Sequence, residues 1–147
     1  MTARCMRRDD IDAYLRERGV GVLSLADGAE TYAIPESFGY DGDALYFQFG
    51  YDDDSDKMDY VTTTAVATFT VHTTDPARSV VARGPIAPVS DSATDRAAAA
   101  LAANATIPNL NVSPDTADED VDFVLYRLTP EALSGRTFGT GSDRPVS

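Results

Sequence analysis

The chain has 147 residues, and its 24 acidic side chains against 12 basic ones give it a net charge of -12. This length fits one globular domain, and a hydrophobic content of 43% is too high for a disordered acidic chain. The charge argues against affinity for nucleic acid or an anionic membrane surface, and no apolar run approaches the ~20 residues of a membrane span. Cys5, the single cysteine, excludes an intrachain disulfide. Together with an N-terminus that lacks an apolar leader, it predicts a cytoplasmic protein.

The first half of the chain predicts a helix followed by a meander of strands. Apolar residues at helical spacing follow two aspartates that can cap a helix, and tight-turn signals then recur about every ten residues. The predicted elements are a helix from Asp9 or Asp10 to Gly19 and strands over 20–25, 31–38 and 44–49. The second strand contains Pro35, which lacks an N–H and therefore predicts an edge strand or a bulge.

The second half predicts three further strands with helices between them. Ser55 can cap a short helix that begins near Lys57, and Gly84-Pro85 marks a bend. The other predicted elements are strands over 65–73, 79–89 and 121–128, a helix over 92–104, a loop over 105–120 and a helical turn at 129–131. We expect residues 1–8 and 136–147 to be loose. The whole, residues 1–147, predicts a single mainly β domain, a six-stranded antiparallel barrel with peripheral helices.

Most catalytic site types are excluded by the absence of their residues. One histidine and one cysteine make a Cys/His zinc site implausible, and the acidic loop 52–56 lacks the spaced acceptors of a calcium loop. A hydrolytic triad would need His72 as its base, but its place at the end of a strand indicates a surface or interface histidine. We therefore predict no metal site and no catalytic side chain.

Four segments follow one another in an informative order. They are YAIPESFGY over 32–40, ALYFQFG over 44–50, Ser-x-Lys at 55–57 and an Arg-Ser-Val-Val strand that ends in Arg-Gly over 78–84. With these segments the chain resembles, from about Asp9 to Leu133, the pyridoxamine 5′-phosphate oxidase-like family of FMN-binding split β-barrels. It is most similar to the small single-domain members, the nitroimidazole-resistance-like and flavin reductase-like proteins. The resemblance implies a homodimer with FMN at the subunit interface and an oxidoreductase of flavin reductase or nitroreductase type that acts on a small molecule.

The resemblance also implies which residues would hold FMN. The backbone around Pro35 would lie along the isoalloxazine ring, and Ser55 and Lys57 would bind the phosphate. A helix start suits a phosphate because its free N–H groups and positive dipole end attract an anion, and Lys57 is the only lysine in the chain. The predicted cofactor-binding residues are Ile34, Pro35, Glu36, Ser37, Phe47, Gln48, Ser55, Lys57, Arg78 and Ser79.

Some of these residues also have a purely structural explanation. Arg78 could pair with one of the many aspartates, Phe47 could be an ordinary core residue of its strand, and Lys57 could be a surface lysine. The functional alternatives are a reductase of the same fold that uses the deazaflavin F420, and a non-catalytic flavin-binding or sensor protein. The acidic loop 52–56 and Glu36, which would bring carboxylates near an anionic cofactor, favour the last alternative. The arginine- and histidine-bearing substrate motif of the vitamin B6 oxidase is missing, so that activity is not predicted.

The charged residues are of unusual types. The acids are 19 aspartates and 5 glutamates, and the bases are 11 arginines and one lysine. This composition resembles that of proteins from halophiles that accumulate salt, of the haloarchaeal type. At ~1 M salt the Debye length falls to ~3 Å, so the mutual repulsion of the carboxylates would be largely screened. We therefore expect most of the acidic residues to serve solvation rather than chemistry.

Overall fold

The computed structural model describes residues 2–51, 56–104 and 122–139. Over these ranges the chain forms three α-helices and ten strands. The helices are α1 (Arg8–Glu17), α2 (Asp56–Thr63) and α3 (Thr94–Asn104), with a 3-10 turn (Asp91–Ala93) before α3. The strands are β1 (Thr2–Cys5), β2 (Val20–Asp27), β3 (Glu30–Ser37), β4 (Gly39–Tyr40), β5 (Leu45–Tyr51), β6 (Ala67–Thr74), β7 (Ala77–Gly84), β8 (Ile86–Pro88), β9 (Asp122–Leu128) and β10 (Ala132–Gly139).

The strands form two antiparallel sheets. One is six-stranded, in the order β1-β10-β7-β6-β2-β3, and the other is four-stranded, in the order β4-β5-β9-β8. The chain passes from the first sheet to the second between β3 and β4, and again at Gly84 and Pro85, between β7 and β8. The prediction of a mainly β, antiparallel split-barrel fold is confirmed, although the two sheets stay open instead of closing into one barrel.

Pro35 lies on an edge strand, as its missing N–H indicated. It is in β3, the last strand of the six-stranded sheet, and its partner on β2 is Val22. In a central strand every backbone N–H donates to one of the two neighbouring strands, so a proline would leave a ladder hydrogen bond unmade. In an edge strand every second N–H faces away from the sheet, and a proline is tolerated there.

The main core lies between the two sheets and α1. On the six-stranded sheet it is formed by alternate residues, such as Leu23 and Leu25 of β2 and Phe69 of β6. We call this side of the sheet the inner face. A smaller cluster lies under α3, where Ala97 and Ala100 pack against Tyr46. Alanines on α3 allow the close approach that this packing needs.

Residues near both ends of the described chain form regular structure, contrary to the expectation of loose termini. Thr2–Cys5 pairs with residues 136–139 of β10, and the N–H of Met6 donates to the carbonyl of Gly135 at 2.8 Å. The expectation is therefore wrong for residues 2–8 and 136–139, and residues 140–147 lie outside the described range. The pairing joins opposite ends of the chain, so no local pattern could indicate it.

Two further local predictions need correction. The helical turn predicted at 129–131 is a connection between β9 and β10, in which the N–H of Thr129 donates to the carbonyl of Pro85 and that of Glu131 to Arg83. Asp9 and Asp10 lie in the first turn of α1 rather than at its N-cap, which is Arg7. Acidic residues in the first turn still favour the helix through its dipole.

None of the helices in the described ranges has the length and apolar character needed to cross a membrane.

Candidate functional site

The six-stranded sheet has an outer face, opposite the core, that carries small uncharged side chains along its centre. Arg83 and Arg136 lie on the same face, away from that central row. One row of cross-strand partners runs over it from β3 to β10: Pro35, Val22, Thr70, Val81 and Ser134. Directly opposed residues of an antiparallel sheet point to the same side, and residues two apart along a strand do so as well. This row therefore defines the outer face, and Ser37 and Ser79 share it.

The predicted residues of β3 divide between the two faces. Pro35 and Ser37 are on the outer face, whereas Ile34 and Glu36 are on the inner face, opposite Leu23 and Gly21 respectively. A Cβ added at Gly21 would lie 2.5 Å from Cζ of the core residue Phe69, which shows that this side faces the core. Glu36 is accordingly only 2% exposed.

Arg78 and Ser79 also lie on opposite faces, because they are consecutive in β7. The guanidinium of Arg78 lies 5.6 Å from the ring centroid of Tyr14 in α1. Ser79 is opposite His72 of β6, which is exposed. The structure therefore does not bring Arg78 to the face that carries Pro35 and Ser79, and it adds His72 to that face.

The two residues predicted on β5 have different surroundings. Phe47 is fully buried, and its ring centroid lies 5.0 Å from that of Phe69, so it is a core residue. Gln48 is half-buried on the other side of the strand, opposite Leu125 of β9. β5 leads into residues 52–55, and α2 begins at Asp56.

The predicted phosphate-binding segment is only partly described. Ser55 lies outside the described residues; Lys57 is in the first turn of α2, and its side chain is likewise not described. The other end of α2 is attached to the β2–β3 hairpin. Tyr60 stacks on Tyr32 with ring centroids 5.2 Å apart, and the Thr64 hydroxyl accepts from the N–H of Ala26 at 2.9 Å. α2 is thus fixed relative to β3, the strand that carries Pro35.

The clearest shifted titratable groups lie on the core side. The hydroxyl of Tyr40 donates to Oδ1 of Asp12 at 2.6 Å, and Nε of Arg8 donates to the same oxygen at 2.9 Å. Burial, together with the hydrogen bond to Asp12, raises the pKa of Tyr40 to about 12. Burial would raise the pKa of Asp12 as well, but the hydrogen bonds from Tyr40 and Arg8 outweigh it and lower that pKa. These groups hold α1 against β4 and are no acid or base for chemistry on the outer face.

Among the described residues, no group of three His, Cys, Asp or Glu side chains could hold a metal ion. The outer-face residues that sequence reasoning missed are Val22, Thr70 and Val81. Their only signal was the alternation of small uncharged residues along β2, β6 and β7, which becomes informative once the register aligns them.

A family model described as pyridoxamine 5′-phosphate oxidase matches residues 7–137. The chain belongs to this family. The match begins just before α1, ends within β10 and includes all the residues predicted to contact the cofactor; β1 lies before it. Among proteins of curated function, none matches this chain.

Solved structures show the same fold at low sequence identity. An FAD-binding protein from Mesorhizobium loti has a TM-score of 0.73 at 20% identity, over 95% of this chain and 99% of that one. An FAD-binding protein from Mycobacterium smegmatis has a TM-score of 0.69 at 17% identity, over 94% of this chain and 100% of that one. A candidate 5-nitroimidazole antibiotic resistance protein from Bacteroides thetaiotaomicron has a TM-score of 0.71 at 17% identity, over 94% and 89%. At such identities the likeness concerns the fold.

Proposed function

We propose that this protein binds a flavin nucleotide, FMN, against the outer face of its six-stranded sheet and acts as an oxidoreductase on a small molecule. The observation that carries the proposal is the family match over residues 7–137, which contains every predicted cofactor contact. The solved structures of two FAD-binding proteins with this fold support a flavin as the cofactor class. FMN is the form that the sequence resemblance implies.

The outer face suits a flat, largely apolar ring. Its central row, from Pro35 to Ser134, consists of small side chains without charge, and such surfaces favour planar ligands held by a few polar groups. β3 ends the sheet. In the proposal the backbone of the segment from Ile34 to Ser37 lies along the ring.

The position of Glu36 removes one objection to flavin binding. A carboxylate beside an anionic cofactor would repel it, but Glu36 points to the core side of β3 and is 2% exposed. The non-catalytic alternative therefore loses one of its two supports. The other, the acidic loop 52–56, lies largely outside the described residues.

In the proposed reaction the bound flavin supplies the hydride chemistry, and the protein binds and orients it. Lys57 and Ser55, at the start of α2, would hold the phosphate. Ser79 on β7 and His72 on β6, which are cross-strand partners on the outer face, would border the ring. A second copy of the chain would cover the outer face, so that the cofactor lies between two protomers. The cofactor role predicted for Arg78 is not part of this proposal, because its side chain lies against Tyr14.

The first test is the absorbance spectrum of protein purified in multimolar KCl. We expect a flavin band, and FMN should be the species released on denaturation; FAD would keep the cofactor class and change its form. A deazaflavin band would instead identify the F420 alternative. Colourless protein that takes up neither FMN nor FAD under these conditions would refute the proposal.

The second test is Lys57→Ala, with FMN affinity measured by fluorescence titration. Loss of a charge-assisted contact to phosphate is worth about 1.5–3 kcal/mol, which corresponds to a loss of affinity of about tenfold or more. Arg16→Gln is the control, because it removes one positive charge from an exposed position in the last turn of α1, away from the outer face. Equal affinities for Lys57→Ala and wild type would remove Lys57 from the site.

A further inference from the structure

A cleft on the inner side of the six-stranded sheet lies between α1 and the strands β1, β10 and β7. We call it the α1 cleft. Its volume is about 360 Å³, and Arg4, Arg7 and Arg78 are among its lining residues. Three of the eleven arginines in the chain therefore border one small space. The volume is within the range of small-molecule sites, which begins at about 300 Å³.

The register of the sheet directs two of these arginines at the same point. Thr137 of β10 is the direct cross-strand partner of Arg4 on one side and of Arg78 on the other. Neighbouring strands are about 4.8 Å apart, so the two arginines start about 10 Å from each other with the threonine between them. Their long side chains can both reach a group bound above Thr137, and Arg7 borders the same space from the N-cap of α1.

None of the three arginines has a carboxylate partner among the described residues. Arg8 and Arg96, by contrast, form ion pairs with Asp12 and Asp43 at 2.9 Å. Asp10 and Glu17 also line the α1 cleft, yet no ion pair joins them to its arginines. In a chain with twice as many acids as bases, unpaired arginines gathered around one cavity point to an anionic ligand.

Tyr14 holds Arg78 in place. Its ring is 2% exposed, with the guanidinium of Arg78 at 5.6 Å from the centroid, and its hydroxyl donates to Oγ1 of Thr73 at 3.2 Å. A cation–π contact of this kind restrains the guanidinium without neutralising its charge. Arg78 is thus positioned before any ligand binds, which lowers the entropy cost of binding.

We propose that the α1 cleft binds a small molecule through a phosphate monoester group, with Arg4, Arg78 and Thr137 as the main contacts. The planar guanidinium fork matches two phosphate oxygens at once, and a dianion can accept from two arginines and a hydroxyl together. The carboxylates of Asp10 and Glu17 remain to accept hydrogen bonds from hydroxyl groups elsewhere on the ligand. Arg78 and Ser79 project to opposite sides of β7, so this site is separate from the outer face.

The test is calorimetric titration of inorganic phosphate into the protein as purified, with chloride at equal ionic strength as the reference. We expect saturable binding that leaves the flavin spectrum unchanged. Arg78→Gln and, separately, Arg4→Gln should each weaken it by about tenfold, the usual loss for one charge-assisted contact. Arg16→Gln is the matched control, because Arg16 is exposed in the last turn of α1 and does not line the α1 cleft.

Three results would overturn the proposal. One is the absence of saturable phosphate binding to the wild-type protein. Another is an equal loss in Arg16→Gln, because the effect would then follow net charge and not the cleft. The third is displacement of the flavin by phosphate with a matching loss of flavin affinity in Arg78→Gln, which would assign the cleft to the cofactor. Arg4→Gln keeps the test decisive if Arg78→Gln fails to fold, since Arg4 is exposed on a terminal strand.

Discussion

Asp41 lies in the turn between β4 and β5, and its carboxylate joins that turn to α3. Oδ1 accepts from the N–H groups of Asp43 and Ala44 at 2.8 Å each. Oδ2 accepts from the hydroxyl of Tyr46 at 2.8 Å and from Nε of Arg96. Burial by itself would raise the pKa of Asp41, but these hydrogen bonds outweigh it and lower that pKa. The sequence indicated the turn, whereas its attachment to Arg96, 55 residues away, depends on the packing of α3.

Asp41→Asn should lower the free energy of unfolding at neutral pH by about 1–2 kcal/mol, because the amide cannot replace the charged acceptor of these hydrogen bonds. The pKa of Asp41 is lower in the folded state than its usual value of 3.8, so the ionised carboxylate stabilises the fold at pH values above 3.8. This stabilisation is lost as the pH falls through the folded-state pKa. The difference between variant and wild type should therefore be largest near neutral pH and shrink below about pH 4. Urea unfolding followed by circular dichroism measures it.

Asp43→Asn is the control for this prediction. The Asp43 side chain is 82% exposed and has one ion pair, to Arg96, and an exposed pair contributes little. A constant difference between Asp41→Asn and wild type from pH 3 to 7 (about the range of carboxylate titration) would contradict the role given to the Asp41 charge.

At the scale of elements, Gly84 lies at one of the points where the chain leaves the six-stranded sheet for the four-stranded one. A Cβ added there would lie 1.9 Å from the carbonyl oxygen of Thr129, in the connection between β9 and β10. The Gly84-Pro85 pair predicted a bend because both residues disfavour a regular strand. The need for glycine at position 84 comes from the backbone at Thr129, which the local sequence does not indicate.

Gly84→Ala should destabilise the protein by about 3 kcal/mol, because the clash involves backbone that cannot turn aside as a side chain can. Thermal unfolding measures the effect. Gly28→Asn is the matched control: Gly28 has a positive φ of 62°, and a Cβ added there would meet no atom within 4 Å. Asparagine tolerates that conformation. A drop in Tm no larger for Gly84→Ala than for the control would contradict the close approach.

At the scale of the whole molecule, the net charge of -12 affects the stability of the fold. Self-repulsion among carboxylates destabilises a compact fold, and added salt screens it. We therefore predict that the Tm rises steadily from dilute buffer to multimolar KCl. Scanning calorimetry at several KCl concentrations measures this, and a Tm that is independent of KCl would remove the salt-adapted interpretation of the composition.

The outer face supplies the other prediction at this scale, since the proposed dimer would bury it. Thr70 lies at its centre, between β7 and β2. Thr70→Glu should yield monomers and lose flavin, because an interface does not bury an unpaired charge cheaply. Light scattering coupled to gel filtration measures the mass. Ala102→Glu, on an exposed position of α3, is the control; unchanged mass and flavin content in Thr70→Glu would show that the outer face is not the interface.

Much of the fold could be predicted from the sequence, because the patterns that indicate strands, turns and edges are local. Alternating apolar residues and tight turns indicated antiparallel strands, and the missing N–H of Pro35 indicated an edge. The order of the four cofactor-related segments indicated the family. What the sequence could not show was which strands from distant parts of the chain pair, as β1 and β10 do.

The sequence by itself determined the class of this protein and the strands on which its site residues lie. The tertiary structure decided which way those residues face. It directed Glu36 to the core and Ser37 to the outer face, and it separated Arg78 from Ser79. The physical reason is that the alternation of side chains along a strand is a local property. Which of the two alternating sets faces the core depends on which face of the sheet the rest of the chain covers. Here α1 and the second sheet cover one face and leave the other to the proposed cofactor.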